Sequence, residues 1–199
     1  MKLLLTSSGL DKPALIAAVK KSIADPKTCR AAIVTSGVTP ESIPWLALIE
    51  DQLAEAGITN TAIVNLSNGN GAAALDDAGL IFVCGGNTFS ILAALREHGW
   101  VEKIQARVKA GALYIGVSAG SILASGSIEL AGFGSEGDEN EIALEDLTGF
   151  GFTNIAVFPH FKPSLAAEVD EFSQQVDYPV IAIADGQAVF ALGDSHEVL

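Results

Sequence analysis

Apolar and polar positions along this chain fall into two alternating patterns. Lys2–Thr6, Ala31–Thr35, Thr61–Asn65, Leu80–Cys84 and Leu113–Val117 are short, mostly apolar runs that end at turn-forming residues. Such runs predict strands buried on both faces. Between them, Pro13–Ala24, Glu41–Ala56 and Thr88–Lys109 carry apolar residues at helical spacing, the last broken at Gly99. Gly57 falls where a helix C-cap belongs. Strand–helix alternation of this kind predicts an α/β fold, a mostly parallel central sheet with helices on both faces. In such sheets the ligand sits beyond the C-terminal ends of the strands. Three of those ends carry chemistry-bearing residues: Gly85-Gly86-Asn87-Thr88, Ser118-Ala119-Gly120-Ser121 and His160.

The pattern changes from about Ile128 to Phe152. This segment is rich in glycine and acids (Glu129, Glu136, Asp138, Glu139, Glu141, Glu145, Asp146) and holds no Lys or Arg. It reads as an irregular excursion above the sheet. Ile155–Phe158 is expected to return to the sheet, Pro163–Val176 to be a helix and Val180–Ala184 a further strand. Gln187–Leu192 and Glu197–Leu199, joined through Gly193-Asp194, read as a closing hairpin. With no repeat, linker or low-complexity tract, residues 1–199 are expected to form a single domain.

Composition narrows the function classes. Apolar residues make up 49% of the 199 and charged residues 18%, as in a globular protein. No apolar run approaches the roughly 20 residues that cross a bilayer. Met1-Lys2-Leu3-Leu4-Leu5 has the start of a signal peptide, but Thr6-Ser7-Ser8-Gly9 ends its apolar run short of a signal-peptide core, so the expected location is cytoplasmic. A net charge of −13 argues against nucleic acid or an anionic membrane as partner. Cys29 and Cys84 make neither a disulfide framework nor a metal-ligand spacing, and they read as reduced, buried thiols. No cofactor or metal is implied. The expected partner is a small peptide substrate, and the reading admits a homodimer.

Gly116-Val117-Ser118-Ala119-Gly120 fits G-x-S-x-G, with a strand leading in and small residues leading out. A nucleophile on so sharp a strand-to-helix turn needs neighbours without side chains. A helix N-terminus behind it would aim free N–H groups at a developing oxyanion, Ala119 N–H among them. A serine hydroxyl needs a base. Of the three histidines, His98 lies at a polar helix end and His196 in the closing hairpin, and both read as solvated. His160 follows an apolar strand through Pro159 and is the candidate base. The acid that would orient it is Asp185, after Val180–Ala184, or a carboxylate of the excursion: Asp138, Glu139 or Glu141.

Phe82-Val83-Cys84-Gly85-Gly86-Asn87-Thr88-Phe89, Gly116–Ser121 and Pro159-His160-Phe161 together resemble the peptidase E (aspartyl dipeptidase) family of serine peptidases, related to cyanophycinases. The resemblance covers roughly residues 80 to 192. It implies a three-layer fold like the class I glutamine amidotransferases, with serine replacing cysteine. It also implies Ser118 as nucleophile, His160 as base, a second oxyanion N–H from Gly85-Gly86, and Asn87 and Thr88 lining the substrate site. The family's late acid, usually Glu, falls on Asp185. The order Ser118, His160, Asp185 differs from the Ser, acid, His order of α/β-hydrolases. An aspartyl dipeptidase should offer its substrate a cation. Between Lys109 and the C-terminus the only Lys or Arg is Lys162, so an Asp-X preference is not expected. Two functions stay open: a serine peptidase acting on short peptides, and a non-catalytic amidotransferase-like binding module.

Overall fold

The computed structural model describes residues 1–193 and 195–199. Asp194, placed by the sequence in the hairpin turn, lies outside the described residues. The element order is β1 (Lys2–Thr6), α1 (Pro13–Ser22), β2 (Arg30–Thr35), α2 (Ile43–Glu55), β3 (Asn60–Asn65), α3 (Ala74–Asp77), β4 (Leu80–Val83), α4 (Thr88–Glu97), α5 (Trp100–Lys109), β5 (Leu113–Val117), α6 (Ala119–Ile122), β6 (Ala156–Phe158), α7 (Ala166–Gln175), β7 (Val180–Ala182), β8 (Ala188–Leu192) and β9 (Ser195–Val198). The short helix α3 escaped the sequence reading, because four residues carry too little periodicity to be seen.

Seven strands form one sheet in the order β3-β2-β4-β5-β1-β8-β9. The first five are mutually parallel, and β8 and β9 run antiparallel at one edge. Alternate strand residues face opposite sides. Leu3, Leu5, Val34, Ile81 and Tyr114 pack under α3, α4 and α5, while Leu4, Ile33, Phe82, Leu113 and Ile115 pack under α1 and α2. Both faces are covered, which is why these strands are apolar throughout.

One expectation is corrected. Ile155–Phe158 does not return to the central sheet: β6 pairs only with β7, in a separate two-stranded parallel sheet. One of its faces packs on a third apolar cluster containing Phe158, Leu165 and Phe172, and the other sends Val157 and Ile181 to the main core. Three-residue strands carry no signal that says which sheet they join. The break at Gly99 is as expected, with Gly99 in the left-handed conformation at φ 65° between α4 and α5. No helix among the described residues is long and apolar enough to cross a membrane.

Candidate active site

β5 lies between β1 and β4, so three adjacent parallel strands deliver their C-terminal ends to one place. Thr6 pairs with Val117 and Val83 with Gly116. Just beyond these pairs, Ser7, Ser118 and the Gly85-Gly86 turn therefore meet. Ser118 sits at φ 51°, ψ −110°, a region that a side chain rarely adopts. The elbow's glycines are explained by contact: a Cβ on Gly116 would collide with the backbone of Gly120 and Ser121, and one on Gly120 with the backbone of Val83. The turn is braced from below. Ser118 N–H donates to the Thr6 carbonyl at 3.0 Å, and the buried Tyr114 hydroxyl donates to the Gly120 carbonyl at 2.6 Å. The helix leading out, α6, has only four residues. What it offers is its free N–H groups more than a macrodipole, which needs length to build up.

Ser118 Oγ lies 2.9 Å from His160 Nε2, and His160 Nδ1 lies 2.7 Å from Asp185 Oδ1. A carboxylate only accepts, so the shared proton belongs on Nδ1 and Nε2 presents its lone pair to the serine hydroxyl. His160 is itself at φ 56°. That strained backbone is held because His160 N–H donates to Ser7 Oγ at 2.8 Å. The Ser7 hydroxyl in turn donates to Asp185 Oδ1 at 2.7 Å. Hydrogen bonds from Ser7 and from His160, with the nearby positive charges, hold the Asp185 carboxyl below its ordinary value of 3.8. Neighbouring Ser8 Oγ accepts the Gly186 N–H at 2.9 Å, fixing the turn that carries Asp185. Sequence reasoning missed Ser7 and Ser8. Their only signal was position, two hydroxyls just past a strand that turns out to neighbour β5.

The remaining candidates separate. The N–H groups of Gly85, Gly86 and Ala119 donate to no protein acceptor among the described residues. Gly85 abuts Ser118, with its Cβ position 3.4 Å from the serine Cβ. Asn87 caps α4, its Oδ1 accepting from Ser90 N–H, and its Nδ2 donates to the Glu139 carbonyl. Thr88 is fully buried, and its hydroxyl has no partner among the described residues. Asp138, the rival acid, accepts the Thr88 N–H at 2.8 Å and makes no hydrogen bond with His160. His98, expected to be solvated, instead stacks on Trp100 and bonds through Nε2 to the Leu66 carbonyl at 2.7 Å. Cys84 sits just behind Gly85, where burial pushes its thiol up to about 12 and leaves it inert.

A polar cavity of about 270 Å³ opens over Ser118 and His160 and is lined by Thr88, Leu130, Phe133, Glu136, Asp138 and Lys162, among others. Lys162 is its one cation among the described residues, and both Glu136 carboxylate oxygens take it, at 2.9 and 3.0 Å.

The sequence profile of Peptidase family S51 matches residues 3–199. The chain belongs to this family. Among curated members it is similar to peptidase E of Citrobacter koseri, with 36% identity over 133 residues, covering 65% of this chain and 54% of that protein. It is also similar to peptidase E of Salmonella newport, with 31% identity over 165 residues, covering 81% and 68%. The match thus spans about half the length of the first relative and about two thirds of the second. Two solved structures share the fold. One, from Listeria monocytogenes EGD-e and named provisionally as a peptidase E protein, has a TM-score of 0.80 at 21% identity, covering 100% of this chain and 97% of that one. The other, a peptidase from an acI-B1 Actinobacterium, has a TM-score of 0.72 at 22% identity, covering 100% and 86%. The α/β architecture is thus that of the S51 fold. Within it, this chain sets an Asp, Asp185, against the histidine.

Proposed function

We propose that this S51 chain is a serine peptidase that hydrolyses short peptides through Ser118, His160 and Asp185. The observation that carries the reading is the unbroken relay Ser118 Oγ, His160 Nε2, His160 Nδ1, Asp185 Oδ1, with links of 2.9 and 2.7 Å. Ser118 Oγ attacks the scissile carbonyl carbon while Nε2 takes the hydroxyl proton. The carbonyl oxygen becomes an oxyanion, and the free N–H groups of the Gly85-Gly86 turn and Ala119 receive it. As the C–N bond breaks, the imidazolium returns its proton to the leaving amine, giving an acyl-enzyme. A water, deprotonated by the same nitrogen, then releases the acid and restores the serine. Asp185 stays ionised throughout, holding the tautomer and stabilising the imidazolium. Its side chain is 64% exposed and that of His160 45%, so solvent weakens the ion pair and orientation is its main contribution.

The geometry does not favour a substrate with an acidic side chain in the polar cavity, because Glu136 already neutralises Lys162 there. A fluorophosphonate probe tests the core of the reading. Covalent labelling of Ser118, lost in Ser118→Ala, is the expected result, together with turnover of short peptides. An intact fold with neither labelling nor turnover would make the chain a ligand-binding module.

A further inference from the structure

A second cavity lies on the other side of Gly85 from the polar one. Its volume is about 290 Å³, at the lower edge of the range for small-molecule sites. That suits one side chain better than a whole cofactor. One wall is the face of α2 made by Trp45, Leu48, Ile49 and Gln52, spaced as i, i+3, i+4 and i+7. Phe82 and Val117 of β4 and β5 lie opposite, and Gly85 closes the end next to Ser118. Two features mark this space as built for a ligand. Gln52 is only 8% exposed, yet its side-chain amide makes no hydrogen bond among the described residues. Its amide is open to the cavity, where a ligand's donor or acceptor finds a partner in it. Trp45 stands at the mouth 67% exposed, a large apolar ring left in water.

We infer that this cavity is the subsite for a bulky neutral side chain, aromatic or branched aliphatic, on the acyl side of the scissile bond. The inference rests on Ser118 being the nucleophile. The leaving amine must reach His160 Nε2, which stands over the polar cavity, so the acyl residue extends the other way, across Gly85. Among the described residues no Lys or Arg lines the apolar cavity, and its one charged residue, Asp11, accepts the Ser8 hydroxyl. An acidic side chain therefore has no partner there and a like charge to face. The Gln52 amide gives a hydroxyl or carbonyl tip a partner, which favours tyrosine over phenylalanine.

The test uses the full chain and X-Ala dipeptides in which X is Phe, Tyr, Leu, Ala or Asp. Wild type should prefer Phe, Tyr and Leu over Ala by at least about tenfold in kcat/KM, with Asp poorest. Leu48→Trp, at the mouth, should erase that preference while changing the Ala rate less than about threefold, and Gln52→Leu should lower the Tyr:Phe ratio several-fold. Fluorophosphonate labelling of Ser118 is followed in parallel. Labelling at the wild-type rate without a bulky preference, or a preference that survives Leu48→Trp, would overturn the subsite alone. Absence of labelling in wild type would overturn the nucleophile reading beneath it. A wild type that sediments as a dimer and dissociates on Trp45→Ala would assign the face to a second copy and also overturn the subsite.

Discussion

Ser118 stands on a seven-stranded sheet whose ladder runs unbroken through five parallel strands, whereas His160 and Asp185 follow two three-residue strands that pair only with each other. The first region is covered by apolar residues on both faces, while the second has a small satellite core around Phe158 and Phe172 on one face and sends Ile155, Val157 and Ile183 into the main core from the other. A relay with links under 3 Å nevertheless spans the two. Beyond that shared packing, the end of β1 ties them polar group to polar group: Ser7 bonds His160 N–H and Asp185 Oδ1, and Ser8 bonds Gly186 N–H. Alignment of the site therefore depends on two hydroxyls at a seam as well as on the apolar residues the two regions share.

The comparison can be broken most severely at the relay itself. Ser118→Ala and His160→Ala should each lower kcat by about 10⁶-fold, with the double variant little worse, as found for residues that act as one unit. A residual rate above about a tenth of wild type in Ser118→Ala would remove it as nucleophile, and multiplicative losses would reduce His160 to a supporting role. Asp185→Asn should cost about 10⁴-fold in kcat with KM little changed, because the amide can hold the wrong imidazole tautomer. If Asp138→Asn cost more than Asp185→Asn, the acid would have to be sought in the excursion.

The seam itself is sharpened by Ser7→Ala, which removes one hydrogen bond to a charged group. A loss of about 10- to 100-fold in kcat is expected, with melting temperature nearly unchanged. The same variant has a titration signature. The Asp185 carboxyl is held below 3.8, chiefly by the Ser7 hydroxyl. A group whose pKa is depressed on folding stabilises the protein above its unfolded value, and that stabilisation is lost as pH falls through the folded value. Ser7→Ala should move the Asp185 titration upward, so that the loss begins at higher pH within the region below about 4. Carboxyl-carbon NMR of the two proteins checks this, and an unmoved titration would assign the depression to His160 instead. The smallest effect belongs to Glu136→Gln, which frees Lys162. Peptides with an acidic side chain should then gain a few-fold in kcat/KM and neutral ones should not change, as competition assays would reveal.

The acidic excursion offers a further contrast. The sequence reads it as an irregular excursion above the sheet, and the structure ties that excursion down at separated points. Arg96 bonds the Asp146 and Thr148 carbonyls, Glu168 takes the Ser135 N–H and hydroxyl, and Asn87 holds the Glu139 carbonyl. None of these partners is near its target in sequence, which is why local reading could not find them.

The sequence by itself determined the central strands, the helices that cover them and the elbow. Those depend on local quantities: an apolar run long enough to be buried on both faces, a 3.6-residue stripe, and glycines where a Cβ has no room. β1 and β5 are bounded in the structure as the sequence predicts, and Gly116 is required by backbone contacts inside its own turn, whereas Gly120 is required by the backbone of Val83 on the neighbouring strand. Ser118, His160 and Asp185 were likewise legible as candidates, because each ends a strand. The tertiary structure decided which carboxylate meets His160, that β6 and β7 form their own sheet, and that Ser7 bridges the two. It also decided that Gln52 lines a cavity beside Gly85. Those outcomes depend on strand order and on bonds across 25, 153 and 178 positions of chain. Residues that far apart leave no periodic trace in one sequence, since what brings them together is the pairing of whole strands and not any property of the residues themselves.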